Sequence, residues 1–160
     1  MVLLLSVLLV LSGSAGVSGF AGPGGSGFGW PVDGGRVVRR FDPPARPWLA
    51  GHRGADLAAA PGAVIRAAGA GTIVFAGQLA GRGVVSVAHP GGLRTTYEPV
   101  LPAGHHPGDP VAAGEEIGTL APAHPGCPAP VCLHWGLRRG ADYLDPLTLL
   151  GLGRVRLLPL

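Results

Sequence analysis

The sequence predicts an all-β protein, a small antiparallel two-sheet sandwich or barrel, and three observations support this. Gly 29 and Pro 17 among 160 residues disfavour long helices and are typical of tight turns. With 47% hydrophobic and 13% charged residues, the chain carries enough apolar surface to form one core. Its apolar residues occur in short runs separated by glycine and proline, which is the spacing of sandwiches and barrels.

The first fifteen residues are predicted to be a signal peptide. Residues 2–11 form an uninterrupted apolar run except for one serine, which matches the hydrophobic region of a signal peptide and is too short to cross a bilayer. Gly13 and Ala15 are the small residues expected before a cut after Ala15, and a later cut near Ala21 is an alternative. No Lys or Arg precedes the run, so retention as a weak anchor is a further alternative. We expect a secreted, extracytoplasmic protein without a stable membrane span.

The remaining chain is predicted to contain one domain. A glycine-rich linker covers residues 16–29, the domain covers 30–150, and residues 151–160 form a C-terminal tail. All 12 basic residues are arginines and the net charge is +3, but they are spread singly, so no nucleic-acid partner is expected. The absence of lysine excludes a carrier domain whose prosthetic group is attached to that residue.

Short apolar runs with turn residues between them predict the strands. Turn signals at residues 81–83 and 90–92 join three of these runs into an antiparallel meander. Two similar segments, 61–73 and 107–118, each lead one strand through a glycine-bounded turn into another. We expect these segments to switch between the two sheets. The six runs are residues 63–67, 71–76, 84–88, 93–100, 116–120 and 133–137.

The two cysteines are predicted to form a disulfide. Cys127 and Cys132 enclose four residues, and disulfides persist outside the cytosol. Closing so short a loop stabilises the fold by about 2 kcal/mol in the chain-entropy model.

Two segments carry candidate metal ligands. His52 and Asp56 are four residues apart across a glycine, and an imidazole with a carboxylate suits Zn²⁺; such a pair is more often a surface hydrogen bond. Cys132 and His134 are two residues apart in a predicted strand, so their side chains lie on the same face. The alternative for His134 is a half-buried histidine satisfied by a neighbour.

Taken in order, these segments resemble the lysostaphin/LytM-type zinc metallopeptidases, which cut peptide cross-links in bacterial cell walls. The similarity covers roughly residues 30–150 and includes the segments 52–57, 60–64, 70–77, 83–89, 133–135 and 144–146. The resemblance implies a barrel-sandwich hybrid fold and a Zn²⁺ ion held by His52, Asp56 and His134 with a fourth position open. It also implies peptidoglycan or its peptides as the partner.

The chain departs from the family pattern at both histidines that accompany the metal in active relatives. The first histidine of a His-x-His motif is replaced by Cys132, and the histidine of a Tyr-x-His motif by Pro99. Glu98 is the remaining candidate for a catalytic general base, although strand alternation turns it away from the face shared by Tyr97 and Pro99. A reduced Cys132 that closes the zinc shell is a less favoured alternative.

Two functions follow as expectations. The first is an exported zinc metalloendopeptidase that acts on peptidoglycan cross-links. The second is a catalytically inactive, zinc-containing module that binds the wall or regulates a cell-wall hydrolase.

Four further residues receive local interpretations. Arg138 and Arg139 could meet wall carboxylates or form an exposed basic pair, His89 is expected to be a capping or surface residue, and Trp135 is expected in the core.

Overall fold

The computed structural model of the protein describes residues 27–46, 48–122 and 126–153. The predicted signal peptide and most of the predicted linker and tail lie outside these residues. The described chain forms eleven strands and two short 3₁₀ helices, Pro90–Gly92 and Pro146–Leu150. None of its helices is long and apolar enough to cross a membrane. The strands are β1 Arg36–Arg39, β2 Gly54–Ala58, β3 Val64–Arg66, β4 Gly71–Leu79, β5 Arg82–Ala88, β6 Leu93–Glu98, β7 Val100–Pro102, β8 Pro110–Val111, β9 Glu116–Leu120, β10 Cys132–Arg139 and β11 Asp142–Leu144.

The strands form two antiparallel sheets. The large sheet has the order β1-β2-β10-β6-β5-β4-β8, with β11 also paired to β10, and the small sheet has the order β3-β9-β7. The predicted all-β, two-sheet architecture is therefore confirmed. The predicted meander is also confirmed, because β4, β5 and β6 are neighbours in the large sheet.

The two similar sequence segments do switch between the sheets. In the first segment, β3 belongs to the small sheet and β4 to the large one. In the second, β8 pairs with β4 in the large sheet, whereas β9 lies between β3 and β7. Each segment therefore connects one sheet to the other.

The hydrophobic core lies between the sheets, and strand alternation decides which residues of β10 enter it. Leu133, Trp135 and Leu137 belong to the core cluster, and Trp135 is fully buried, as predicted. His134 and Arg138 alternate with them and therefore lie on the other face. The β10 strand thus presents apolar side chains to the core and polar ones to the outer face of the large sheet.

The pairing register aligns polar residues from three strands on that outer face. His134 lies directly opposite Asp56 on β2 and directly opposite Glu98 on β6. Directly opposite residues of antiparallel strands point to the same face. The three side chains therefore form one row across the centre of the large sheet.

Candidate metal centre

His52 is fixed in place just before β2 by its own backbone and ring. Its backbone pairs with Asp42, with hydrogen bonds of 2.7 and 2.9 Å. The ring Nδ1 donates to the carbonyl oxygen of Arg40 at 2.7 Å, since a carbonyl oxygen can only accept. In the neutral imidazole, Nε2 then presents a lone pair to the interior of the site.

Three side-chain atoms converge at this point. His52 Nε2 lies 2.9 Å from Asp56 Oδ1 and 3.1 Å from His134 Nδ1. The distance from His134 Nδ1 to Asp56 Oδ1 is 2.8 Å. The structure therefore brings together the three residues that the sequence offered as metal ligands, and each contributes one atom that could bind a metal ion.

The charge balance of the cluster favours a bound cation. Asp56 is fully buried and His52 is exposed to only 6%. Burial raises the pKa of Asp56, but the hydrogen bonds and charges that His134 and His52 supply when their rings are protonated outweigh it and hold that pKa well below its usual range. A buried carboxylate that stays ionised needs a positive partner. A metal ion supplies that charge when both imidazoles are neutral, and two nitrogens with one carboxylate oxygen suit zinc.

Gly54 leaves the space in which the His134 ring lies. A Cβ atom at this position would be 2.6 Å from His134 Nε2 and 2.5 Å from the carbonyl oxygen of Trp135. Both distances are shorter than a carbon atom tolerates, and the carbonyl belongs to the sheet backbone. The glycine between the two ligands of the first motif is therefore required by the position of the third ligand.

Glu98 lies beside the group of His52, Asp56 and His134, called the metal group below, but another residue holds its carboxylate. Alternation does separate Glu98 from Tyr97, as expected, yet the metal group lies on the face of Glu98. Its two carboxylate oxygens accept hydrogen bonds from Arg82 Nε at 2.9 Å and Nη2 at 3.2 Å. The hydrogen bond to Glu98 is also the main reason that the pKa of Arg82 is raised. Sequence analysis missed Arg82, which carries no motif.

The two positions where the family resemblance expects histidines carry no side-chain base. Cys132 is fully buried and joined to Cys127 by a disulfide, so it has no thiol that could ionise. Pro99 is buried and follows a cis peptide bond. The metal group is therefore assembled without these two histidines.

His89 differs from its expectation as a capping or surface residue. It is exposed to only 6% and makes no side-chain cap to the 3₁₀ helix that follows. Its Nδ1 donates to the carbonyl oxygen of Ala70 at 2.8 Å, and Nε2 lies 2.7 Å from Thr95 Oγ1. Phe28 packs edge-on against its ring at 5.1 Å between centroids. His89 is thus part of a buried hydrogen-bond network apart from the metal group.

Fold and site together define a β-sandwich with a His/Asp/His group on the outer face of its large sheet. Comparison with known proteins gives the family: the model of peptidase family M23 matches residues 50–146. The chain belongs to this family. The matched region contains all three residues of the metal group, and the resemblance inferred from the sequence is confirmed.

The chain is also similar to a curated protein and to solved structures. An uncharacterized protein of Mycobacterium tuberculosis is 55% identical over 140 residues, which is 84% of this chain and 56% of that protein. The chain therefore spans little more than half the length of this curated relative.

Two solved structures illustrate the similarity of the fold. Helicobacter pylori Csd3 has a TM-score of 0.58 and 28% identity, covering 79% of this chain and 34% of that one. The catalytic domain of the antimicrobial peptidase lysostaphin from Staphylococcus simulans has a TM-score of 0.62 and 22% identity, covering 73% and 92%. At 22% identity, the similarity to the lysostaphin domain concerns the fold alone.

Proposed function

We propose that this protein is an exported zinc-binding domain that holds peptides of bacterial peptidoglycan on the outer face of its large sheet without cutting them. The observation that carries the proposal is the convergence of His52, Asp56 and His134 on one point. Membership of peptidase family M23 supports a peptide as the ligand.

The donor set fits zinc, and the surrounding residues fix the positions of the three donors. When bound, zinc supplies a Lewis acid that polarises a peptide carbonyl. The hydrogen bond to Arg40 orients the His52 ring, and pairing of β2 with β10 places Asp56 opposite His134. His134 is the most exposed ligand, with 18% of its side chain accessible. A peptide therefore approaches from the side of His134.

The surroundings of the metal group favour binding over cleavage. Hydrolysis requires a side chain that accepts a proton from the attacking water. Cys132 is in a disulfide and Pro99 has no titratable group. The carboxylate of Glu98 is held at both oxygens by Arg82. The partner of such a module would be the wall peptide itself, together with a cell-wall hydrolase that performs the cleavage.

One observation favours a second candidate function, a peptidase in which Glu98 is the catalytic base. Glu98 is the direct register partner of His134, so its Cβ lies about 5 Å from that of the metal ligand. A substrate that draws Arg82 away from Glu98 would release the carboxylate beside the metal group. This candidate makes a distinct prediction, because Glu98 would then be indispensable.

Export is part of the proposal and is supported by the disulfide between Cys127 and Cys132. Disulfides are rare in cytosolic proteins and persist in oxidising compartments. The apolar run at residues 2–11 agrees with export.

The test combines metal analysis, muropeptide binding and muropeptide release. The purified protein should contain about one zinc ion per chain and bind soluble muropeptides, and His134→Ala should lose both properties. His106→Ala serves as the matched control because this exposed histidine lies outside the group. No soluble fragments should be released from intact peptidoglycan. Equal zinc in His134→Ala would contradict the ligand assignment, whereas release that Glu98→Gln abolishes would establish the peptidase.

A further inference from the structure

Arg53, Arg94 and Arg138 lie on the face of the large sheet that carries the metal group, near the end of β10 that is farther from His134. Arg138 lies four residues after His134 on β10, which places it on the same face about 13 Å along the strand. Arg94 on β6 lies directly opposite Arg138. Arg53 follows His52 directly in sequence. Arg139 points to the opposite face. Arg138 alone of this pair can therefore contact a ligand that is bound at the metal group.

Tyr143 joins two of these arginines. It lies opposite Arg138 in the β10–β11 pair and is exposed to 45%. The guanidinium carbon of Arg53 is 5.7 Å from the centre of its ring, and that of Arg138 is 5.6 Å. An aromatic ring attracts cations through its face. Tyr143 therefore contacts the guanidinium groups of both Arg53 and Arg138 at the surface.

The charges of Arg94 and Arg138 are not balanced by acidic residues in the described part of the chain. Like charges directly opposite each other on neighbouring strands destabilise a sheet, and Arg94 and Arg138 are such a pair. In the part of the chain that the structure describes, neither of them forms an ion pair with a carboxylate. Arg82, in contrast, is paired with Glu98. An anionic ligand would supply the missing negative charge.

The guanidinium groups of Arg94 and Arg138 have N–H donors left for a ligand. The Nε of Arg94 is buried without a hydrogen-bond partner among the described residues, so a ligand at the surface can meet only the terminal nitrogens of this side chain. The Nε of Arg138 donates a hydrogen bond to the carbonyl oxygen of Gly140 at 2.8 Å. A guanidinium has four further N–H donors. Fork-shaped donors of this kind match the two oxygens of a carboxylate.

The surface between the arginines and the metal group is low. On β10 the residue between His134 and Arg138 on this face is Gly136, and its partner on β6 is Thr96. A glycine and a threonine leave room for an extended chain above the sheet. An extended peptide advances about 3.4 Å per residue, so a peptide bound at the metal group reaches the arginines within about four residues.

We infer that Arg53, Arg94 and Arg138 form a carboxylate-binding subsite, which makes an acidic peptide the substrate class of the metal group. This inference rests on the proposed function. The bound peptide carries a free carboxylate within about four residues of the carbonyl at the metal group. The arginines select that carboxylate, and the metal group holds the backbone.

The test compares soluble muropeptides with the same muropeptides after their carboxylates have been converted to amides with carbodiimide and ammonia. Binding to the zinc-loaded protein is measured by calorimetry. We expect the acid form to bind about tenfold more tightly than the amide form. Arg138→Gln and Arg94→Gln should remove this preference while the zinc content stays the same. Arg139→Gln is the matched control, since it removes the same charge from the other face of β10.

The outcomes separate the subsite from the proposed function. Equal affinity for acid and amide forms, or an unchanged preference in both Arg138→Gln and Arg94→Gln, would overturn the subsite and leave peptide binding intact. Absence of binding by either form would overturn both proposals. Inorganic phosphate that binds more tightly than the acid muropeptides would overturn the assignment to a peptide carboxylate.

Discussion

His52 and His89 are equally buried, each exposed to 6%, but their hydrogen-bond partners differ in kind. Around His89 each contact has one donor and one acceptor. Its Nδ1 donates to Ala70, Nε2 accepts from Thr95, Thr95 accepts from the Tyr97 hydroxyl, and that hydroxyl accepts from the backbone N–H of Ala68.

The group around His52 has fewer protons than contacts. Its Nδ1 proton is used by Arg40, so with both rings neutral only His134 Nδ1 can place a proton among the three converging atoms. Three contacts of 2.8 to 3.1 Å then depend on one proton. The count of protons, rather than burial, therefore distinguishes the His52 group, which we propose as a zinc site, from the hydrogen-bond network around His89.

Removing one histidine from each cluster should give the largest difference. We expect His134→Ala to lower zinc affinity by at least about a hundredfold, and a chelator should then no longer change its unfolding temperature. His89→Ala should keep one zinc ion per chain but lower the free energy of unfolding by about 1–3 kcal/mol, because Thr95 and Ala70 lose a buried partner. Metal analysis and thermal unfolding with and without chelator measure both effects. Similar zinc loss in the two variants would show that zinc binding does not depend specifically on the group around His52.

A methyl group at Gly54 tests whether the metal group depends on backbone spacing. Gly54→Ala should displace the His134 ring, weaken zinc binding and destabilise the fold by about 1–3 kcal/mol through overpacking. Gly136→Ala is the matched control. Gly136 is the register partner of Gly54, and a Cβ at Gly136 would lie 3.7 Å from the nearest atom, Thr96 Cβ. Zinc titration of both variants measures the difference. Equal affinities in the two would show that the ring adapts to the added methyl.

The pH dependence of stability should report on His89. Burial lowers the pKa of His89 below its ordinary value of 6.5, despite its hydrogen bond to Ala70. The unfolded chain therefore binds a proton that the folded chain resists, and stability falls as the pH decreases through 6.5. The slope from this residue is at most about 1.4 kcal/mol per pH unit.

Urea unfolding of the chelator-treated protein between pH 7.5 and 5.5 measures this slope. His89→Gln should show a shallower slope than the wild type, since it cannot take up the proton. An identical slope in both proteins would mean that other groups account for the acid sensitivity.

Local sequence signals predicted much of the fold. The turns at residues 81–83 and 90–92 join strands that are adjacent in sequence, so the turn residues between apolar runs indicate the meander. His52 and Asp56 lie in one short motif that indicates the first two members of the metal group, and the family resemblance adds His134.

Features that depend on pairing between distant strands were not predictable in this way. The register of β6 against β10 decides that Glu98 shares a face with His134 and that Arg94 faces Arg138. His89 was misjudged for a similar reason. The proline and glycines after it suggest a surface turn, but Phe28, from the predicted linker, covers its ring.

The disulfide that closes the loop before β10 has a consequence for how the protein is made. Cys132 begins this strand and shares a face with His134 two residues later. Synthesis in a reducing cytosol would leave a thiol there, and thiolates are strong zinc ligands. Material from the cytosol and material exported to an oxidising compartment would then be two different reagents, one with free thiols at Cys127 and Cys132 and one with the disulfide.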